Sequence, residues 1–109
     1  GLVLDNATIT ATGNSTATDN TSSTANGGAG IAIVTTVSGT STPTATIKIQ
    51  HSSDDSTYVD LVTFTNFTAV GSQVSEVASG TTINRYLRVN YTITGTNPSF
   101  ACIVGICTW

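Results

Sequence analysis

The sequence predicts an all-β fold, a single-domain antiparallel β-sandwich or jelly roll of about seven or eight strands. Three observations carry this. Apolar positions alternate with a period of two, most cleanly in "TATIKIQ" (44–50), where Ala45, Ile47 and Ile49 face one way and Thr46, Lys48 and Gln50 the other. Good helix formers are scarce and Thr is the commonest residue, which disfavours helices and suits strands. Turn residues punctuate the chain throughout, and its 109 residues suit one domain burying roughly 60–70% of the unfolded surface.

The elements follow in order. "LVLDNATITAT" (2–12) is aliphatic and β-branched, a first strand ended by Gly13. The polar, Gly-punctuated stretch 13–30 is too long for an ordinary hairpin loop. It can hold one short strand near Thr16 to Thr18, and its 13–28 part is an extended arm or a long loop. "IAIVTTVSG" (31–39) is the next strand, followed by a turn closed by Pro43 and then by 44–50. "TYVDLVTFTNF" (57–67) and the shorter "SQVSEV" (72–77) come next. "RYLRVNYTIT" (85–94) sets Leu87, Val89, Tyr91 and Ile93 against Tyr86, Arg88, Asn90 and Thr92. The last strand, "SFACIVGICTW" (99–109), is apolar on both faces, as expected of a central strand or one covered by a partner subunit.

Charged residues make up only 8% of the chain, against about 25% in a typical soluble domain. The polar surface must therefore be built from Thr, Ser and Asn, and such a neutral surface loses little when pressed against a neighbour. Exposed strand edges are ordinarily protected by Lys, Pro or charge, and here there are one Lys and two Pro. Either the 13–30 segment hides the edges or neighbouring chains cover them, and the second is the expectation. The net charge of −3 and three basic residues, Lys48, Arg85 and Arg88, argue against a nucleic-acid partner. No apolar run approaches the ~20 residues needed to cross a bilayer, and no signal-peptide pattern opens the chain, which reads as soluble. Gly1 and the lack of Met fit either initiator removal or cleavage from a precursor, and Asp5 stands where a myristoylation signal wants Ser or Thr.

Catalytic machinery is not found. His51 is the only imidazole, no Ser sits in a G-x-S-x-G elbow, and the carboxylates Asp5, Asp19, Asp54, Asp55, Asp60 and Glu76 give no hint of converging. "GGAG" (27–30) lacks the spacing and the Lys of a phosphate-binding loop. No cofactor is implied. "HSSDDSTY" (51–58) is the most site-like stretch, and with Asp60 it offers three carboxylates, of which Asp54 and Asp55 are the candidates for holding a cation. Ser and Asp are also what turns ordinarily contain, and a solvated hairpin turn is the preferred reading. Cys102 and Cys107 would lie about 16 Å apart in a straight strand, too far for a disulfide without a bend at Gly105, so they are read as buried thiols. Tyr58, Tyr86, Tyr91 and Trp109 are read as packing residues, with Tyr91 pointing to the core. The N-x-S/T sequons at Asn6, Asn14, Asn20, Asn66 and Asn90 carry no weight without a signal peptide.

The pair of segments "TATIKIQHSSDDSTYVDLVTFT" (44–65) and "NRYLRVNYTITGTNPSFACIVG" (84–105) resembles small all-β virion proteins of tailed bacteriophages, similar to capsid decoration, or cement, proteins. The shared pattern is an S-x-D-G-[ST]-[TS]-[WY] turn, a strand ending in Phe-Thr, and an "RYLR" strand leading through a Gly-Thr-x-Pro-Ser-Phe turn. Asp55 stands at the usual Gly of that turn, so it must tolerate a left-handed conformation. The resemblance implies a protein made in the host cytoplasm and carried on the virion, where it binds the major capsid protein and copies of itself, a trimer being favoured over a dimer. It implies neither enzymatic activity nor a membrane or nucleic-acid partner. Contact candidates are the 13–28 segment with Asn14, Thr16 and Asp19, the C-terminal Trp109, and Arg85 and Arg88 as ion-pair donors to acidic capsid groups. A carbohydrate-binding host-attachment module using Tyr58 or Tyr86, and a tail-tube or baseplate subunit, are the alternatives.

Overall fold

A computed structural model describes residues 2–109; Gly1, on which the reading of N-terminal processing falls, lies outside the described residues. Seven strands form: β1 (Leu2–Ile9), β2 (Gly13–Asn14), β3 (Thr18–Asp19), β4 (Gly28–Ser52), β5 (Val59–Thr63), β6 (Gly71–Val77) and β7 (Tyr86–Thr108). All pairings are antiparallel within one hydrogen-bonded sheet, and no helix occurs among the described residues. The all-β expectation holds, and its alternating positions are resolved: Ala45, Ile47, Ile49, Leu87, Val89 and Tyr91 are all buried.

The frame is one long ribbon. β4 and β7 pair from Gly28↔Thr108 to Ser52↔Tyr86, so the runs 31–39 and 44–50 are two halves of β4, while 85–94 and 99–109 are two halves of β7. Between the halves the register shifts, and backbone angles turn positive at Gly39, Ser41, Thr42, Gly95 and Asn97. Gly39 and Gly95, at φ 117° and 113°, take a conformation closed to other L-residues in practice. The ribbon folds over at this point. A Cβ placed on Gly30 would sit 3.0 Å from Ile49 Cδ1 and 3.3 Å from Phe64 Cζ, so the two halves of β4 face each other across the core.

Two layers result. One holds β6, the first half of β4, the second half of β7, and β1; the other holds β5, the second half of β4, the first half of β7, and the short β2 and β3. Between them lie Val34, Phe100, Cys102 and Val104 from the first layer, against Ile47, Ile49, Leu87, Val89 and Tyr91 from the second. At about 1.5–3 kcal/mol for each large aliphatic or aromatic side chain, this burial is the main stabilising term.

The structure redraws several boundaries. β1 ends at Ile9, because the chain must leave the 100–106 edge of β7 and cross to the 86–91 edge; Thr12 marks the crossing by accepting the Ile93 N–H on Oγ1 at 2.9 Å. In place of one short strand near Thr16 to Thr18 there are two, β2 and β3, with Thr16 between them. The 13–28 segment lies along its own β7, continued by a Thr24↔Ile83 bridge, and therefore covers that edge itself. Of the two expectations for the edges, the chain's own segment serves the 86–91 edge of β7, while β1, β5 and β6 are paired on one side only. The run 57–67 is ordered as β5 followed by an isolated Ala45↔Phe67 bridge.

Candidate functional site

In "HSSDDSTY" the polar groups are turned on one another. Asp54 Oδ1 accepts the Ser52 hydroxyl at 2.8 Å and the Ser56 and Thr57 N–H groups at 3.0 Å each. The Thr57 amide first, then the Ser52 hydroxyl and the Ser56 amide, hold this carboxylate below its ordinary range. Asp55 has φ 57°, the left-handed conformation that the usual Gly of this turn would take without strain, and its carboxylate accepts the Tyr58 hydroxyl. His51 is 8% exposed, and its Nδ1 accepts the Asn84 N–H at 3.0 Å. Burial lowers the imidazole pKa. Asp60 accepts from Lys48 Nζ at 3.0 Å and from Gln50 Nε2 at 2.9 Å, which takes it away from Asp54 and Asp55. Among the described residues no three His, Cys, Asp or Glu side chains gather as a metal site.

The outer face of the second layer is a hydrogen-bonded polar plate. Arg88 Nε donates to Gln50 Oε1 at 2.9 Å and stacks 4.1 Å from the centre of the Tyr58 ring. Asn90 donates to Asn14 at 2.8 Å. Arg85 grips Asp19 with both ends of its fork, Nε at 2.6 Å and Nη2 at 2.7 Å, and lies 5.1 Å from the Tyr86 ring centre. That grip, with the Thr21 amide, holds Asp19 down at about 2. The expectation that Arg85 and Arg88 stand ready for a partner's carboxylates therefore meets a different arrangement: each guanidinium already has partners in its own chain. Of the contact candidates, Asn14, Asp19, Arg85 and Arg88 come together in or beside this plate, and Thr16 is exposed at its edge. Trp109 is 59% exposed on the other layer, where its backbone N–H donates to the Gly27 carbonyl oxygen.

The outer face of the first layer was not singled out from the sequence, and it is the opposite in character. Registered rows run across four strands: Val74–Ile31–Gly105–Val3, and beside it Ser72–Ile33–Ile103–Asn6. Val74 is 66% exposed, Val3 63% and Ile31 38%. Val3, Ile31, Ile33, Ile103, Gly105 and Cys107 line a shallow open groove of about 370 Å³. Ile103, Gly105 and Cys107 are the second apolar face of the last strand, the signal that could have found the site. Cys102 points inward from the same strand and Cys107 outward, and both thiols are free.

The nine charged side chains are divided accordingly. Lys48, Arg85, Arg88, Asp19, Asp54, Asp55 and Asp60 belong to the second layer and its turns; Asp5 is drawn inward by Tyr91, and only Glu76 stands at a corner of the apolar face. The face is built mainly of aliphatic side chains, with Cys107, Ser72, Asn6 and Glu76 as its polar groups. What it can do is exclude water against another surface.

No protein-family model matches this chain, and no curated protein sequence is similar to it.

Proposed function

We propose that this protein is a structural subunit of a tailed-phage particle, a capsid decoration protein that binds the outside of the head and stabilises contacts between major capsid protein subunits. The observation that carries an assembly role is the division of the molecule into one charged, internally bonded face and one apolar face that has, among the described residues, a single charged side chain at its corner. The particle itself is proposed from the likeness of 44–65 and 84–105 to decoration proteins, whose Gly-bearing turn is here reproduced with Asp55 at positive φ. A decoration protein needs a stiff body and broad, weak contacts that multivalency turns into retention. A long folded ribbon with both halves buried against each other is such a body.

The test is addition of the purified protein to expanded capsids that lack it. The reading predicts saturable binding, visible as density on the outer shell, and a higher temperature of capsid disruption. Rings or tubes formed by the protein alone would point to the tail, and binding on a glycan array lost in Tyr58→Ala would point to host attachment; either, without capsid binding, overturns the proposal.

A further inference from the structure

We propose that the apolar face of the first layer is a self-association surface, on which a second copy of this chain packs face to face about a two-fold axis. Three observations point to a second copy as the occupant. First, charge: among the described residues the facing rows carry one charged side chain, Glu76 at the corner, so opposing two identical faces sets no like charges against each other at the centre.

Second, shape. A two-fold contact requires a surface complementary to itself, knob and hole on the same patch. Gly105 supplies the hole. A Cβ there would come within 2.9 Å of the Leu2 carbonyl oxygen, which keeps the position a glycine. The dent is flanked across the sheet by Ile31 and Val3 and along the strand by Ile103 and Cys107, and these are the knobs. Trp109 continues the same alternation at the end of β7 and lies at the rim.

Third, area. Four strands ~4.8 Å apart and rows spanning six or so residues at ~3.3 Å each give roughly 380 Å² per copy, or about 760 Å² in all. That is below the ~1,000 Å² of a stable specific interface and in the range of weak, transient contacts, so the dimer forms at high local concentration, as on a crowded particle surface, and dissociates on dilution.

The inference rests on the assembly role proposed above, and its own failure is separable from that of the capsid reading. Sedimentation of the full chain from about 1 µM to about 1 mM is expected to show a reversible monomer–dimer equilibrium. Ile103→Glu, at the centre of the face, is expected to weaken it at least tenfold. Val74→Glu, at an exposed edge position that leaves the core untouched, is expected to weaken it less while keeping the wild-type melting temperature. A wild-type chain that stays monomeric throughout, or both variants dimerising like wild type, overturns the inference. A monomer that still coats capsids removes the dimer and leaves the decoration role; a dimer that ignores capsids does the reverse.

Discussion

Tyr91 of β7 donates its hydroxyl to the Asp5 carboxylate of β1 at 2.6 Å, and the bond runs from one layer of the sandwich to the other. Asp5 reaches inward because the register slips between Val3 and Asp5, which turns Leu4 and Asp5 to the same side. Burial, then the bond to Asp5, pushes the Tyr91 hydroxyl above its ordinary pKa. Tyr91→Phe keeps the ring and removes the donor, leaving the carboxylate short of a partner. We expect a loss of about 1.5–3 kcal/mol and a melting temperature lower by roughly 10 °C or more in calorimetry. An unchanged transition would show that the bond contributes nothing net.

His51 sets an acid limit. Its folded pKa is lowered by burial, so between the ordinary value of 6.5 and that lower value the unfolded chain binds the extra proton. Stability should therefore fall as pH drops through this window, because a charged imidazole can no longer accept the Asn84 N–H on Nδ1. His51→Gln is expected to flatten the midpoint of urea unfolding between pH 7 and pH 5, on the order of the titration window. A wild-type midpoint already flat across that range would count against the coupling.

Two neighbouring glycines should respond differently to the same methyl group. At Gly28 an added Cβ would overlap the carbonyl oxygen of Cys107, a backbone atom in the central ladder. At Gly30 it would press on Ile49 Cδ1 at 3.0 Å and Phe64 Cζ at 3.3 Å, side-chain ends that can yield. Gly28→Ala is expected to cost at least about 3 kcal/mol or prevent folding, and Gly30→Ala no more than about 1–2 kcal/mol. Equal costs, read from denaturant midpoints, would refute the distinction.

The Asp19–Arg85 pair pins the 13–28 segment from outside the core. Asp19 titrates at about 2, so its contribution is present above the ordinary carboxylate value of 3.8 and is lost only as pH falls through about 2. Arg85→Ala should speed amide hydrogen exchange at 18–21 several-fold while leaving the 86–94 ladder protected, and about 1 M salt should produce part of the same effect in wild type. Exchange unchanged at 18–21 would mean that the β2 and β3 ladder bonds hold the segment alone.

The sequence by itself determined the all-β class and the inward face of most strands, since period-two alternation is local and needs no knowledge of what a strand packs against. It also identified a turn within 51–58, because Asp and Ser satisfy nearby backbone amides, as Asp54 does, although His51 and Ser52 are the last residues of β4 and the turn itself is 53–58. Only the tertiary structure decided that 31–39 and 44–50 are halves of one ribbon in opposite layers, because Gly, Pro and Asn signal a change of direction without saying which strands will then pair. Asp19 and Arg85 meet from 66 positions apart, a distance over which no spacing rule operates. Which face of "SFACIVGICTW" is core was equally undecidable from the chain, since both are apolar. Packing chose Phe100, Cys102, Val104 and Ile106, against which the opposite layer closes, and left Ile103, Gly105 and Cys107 facing outward.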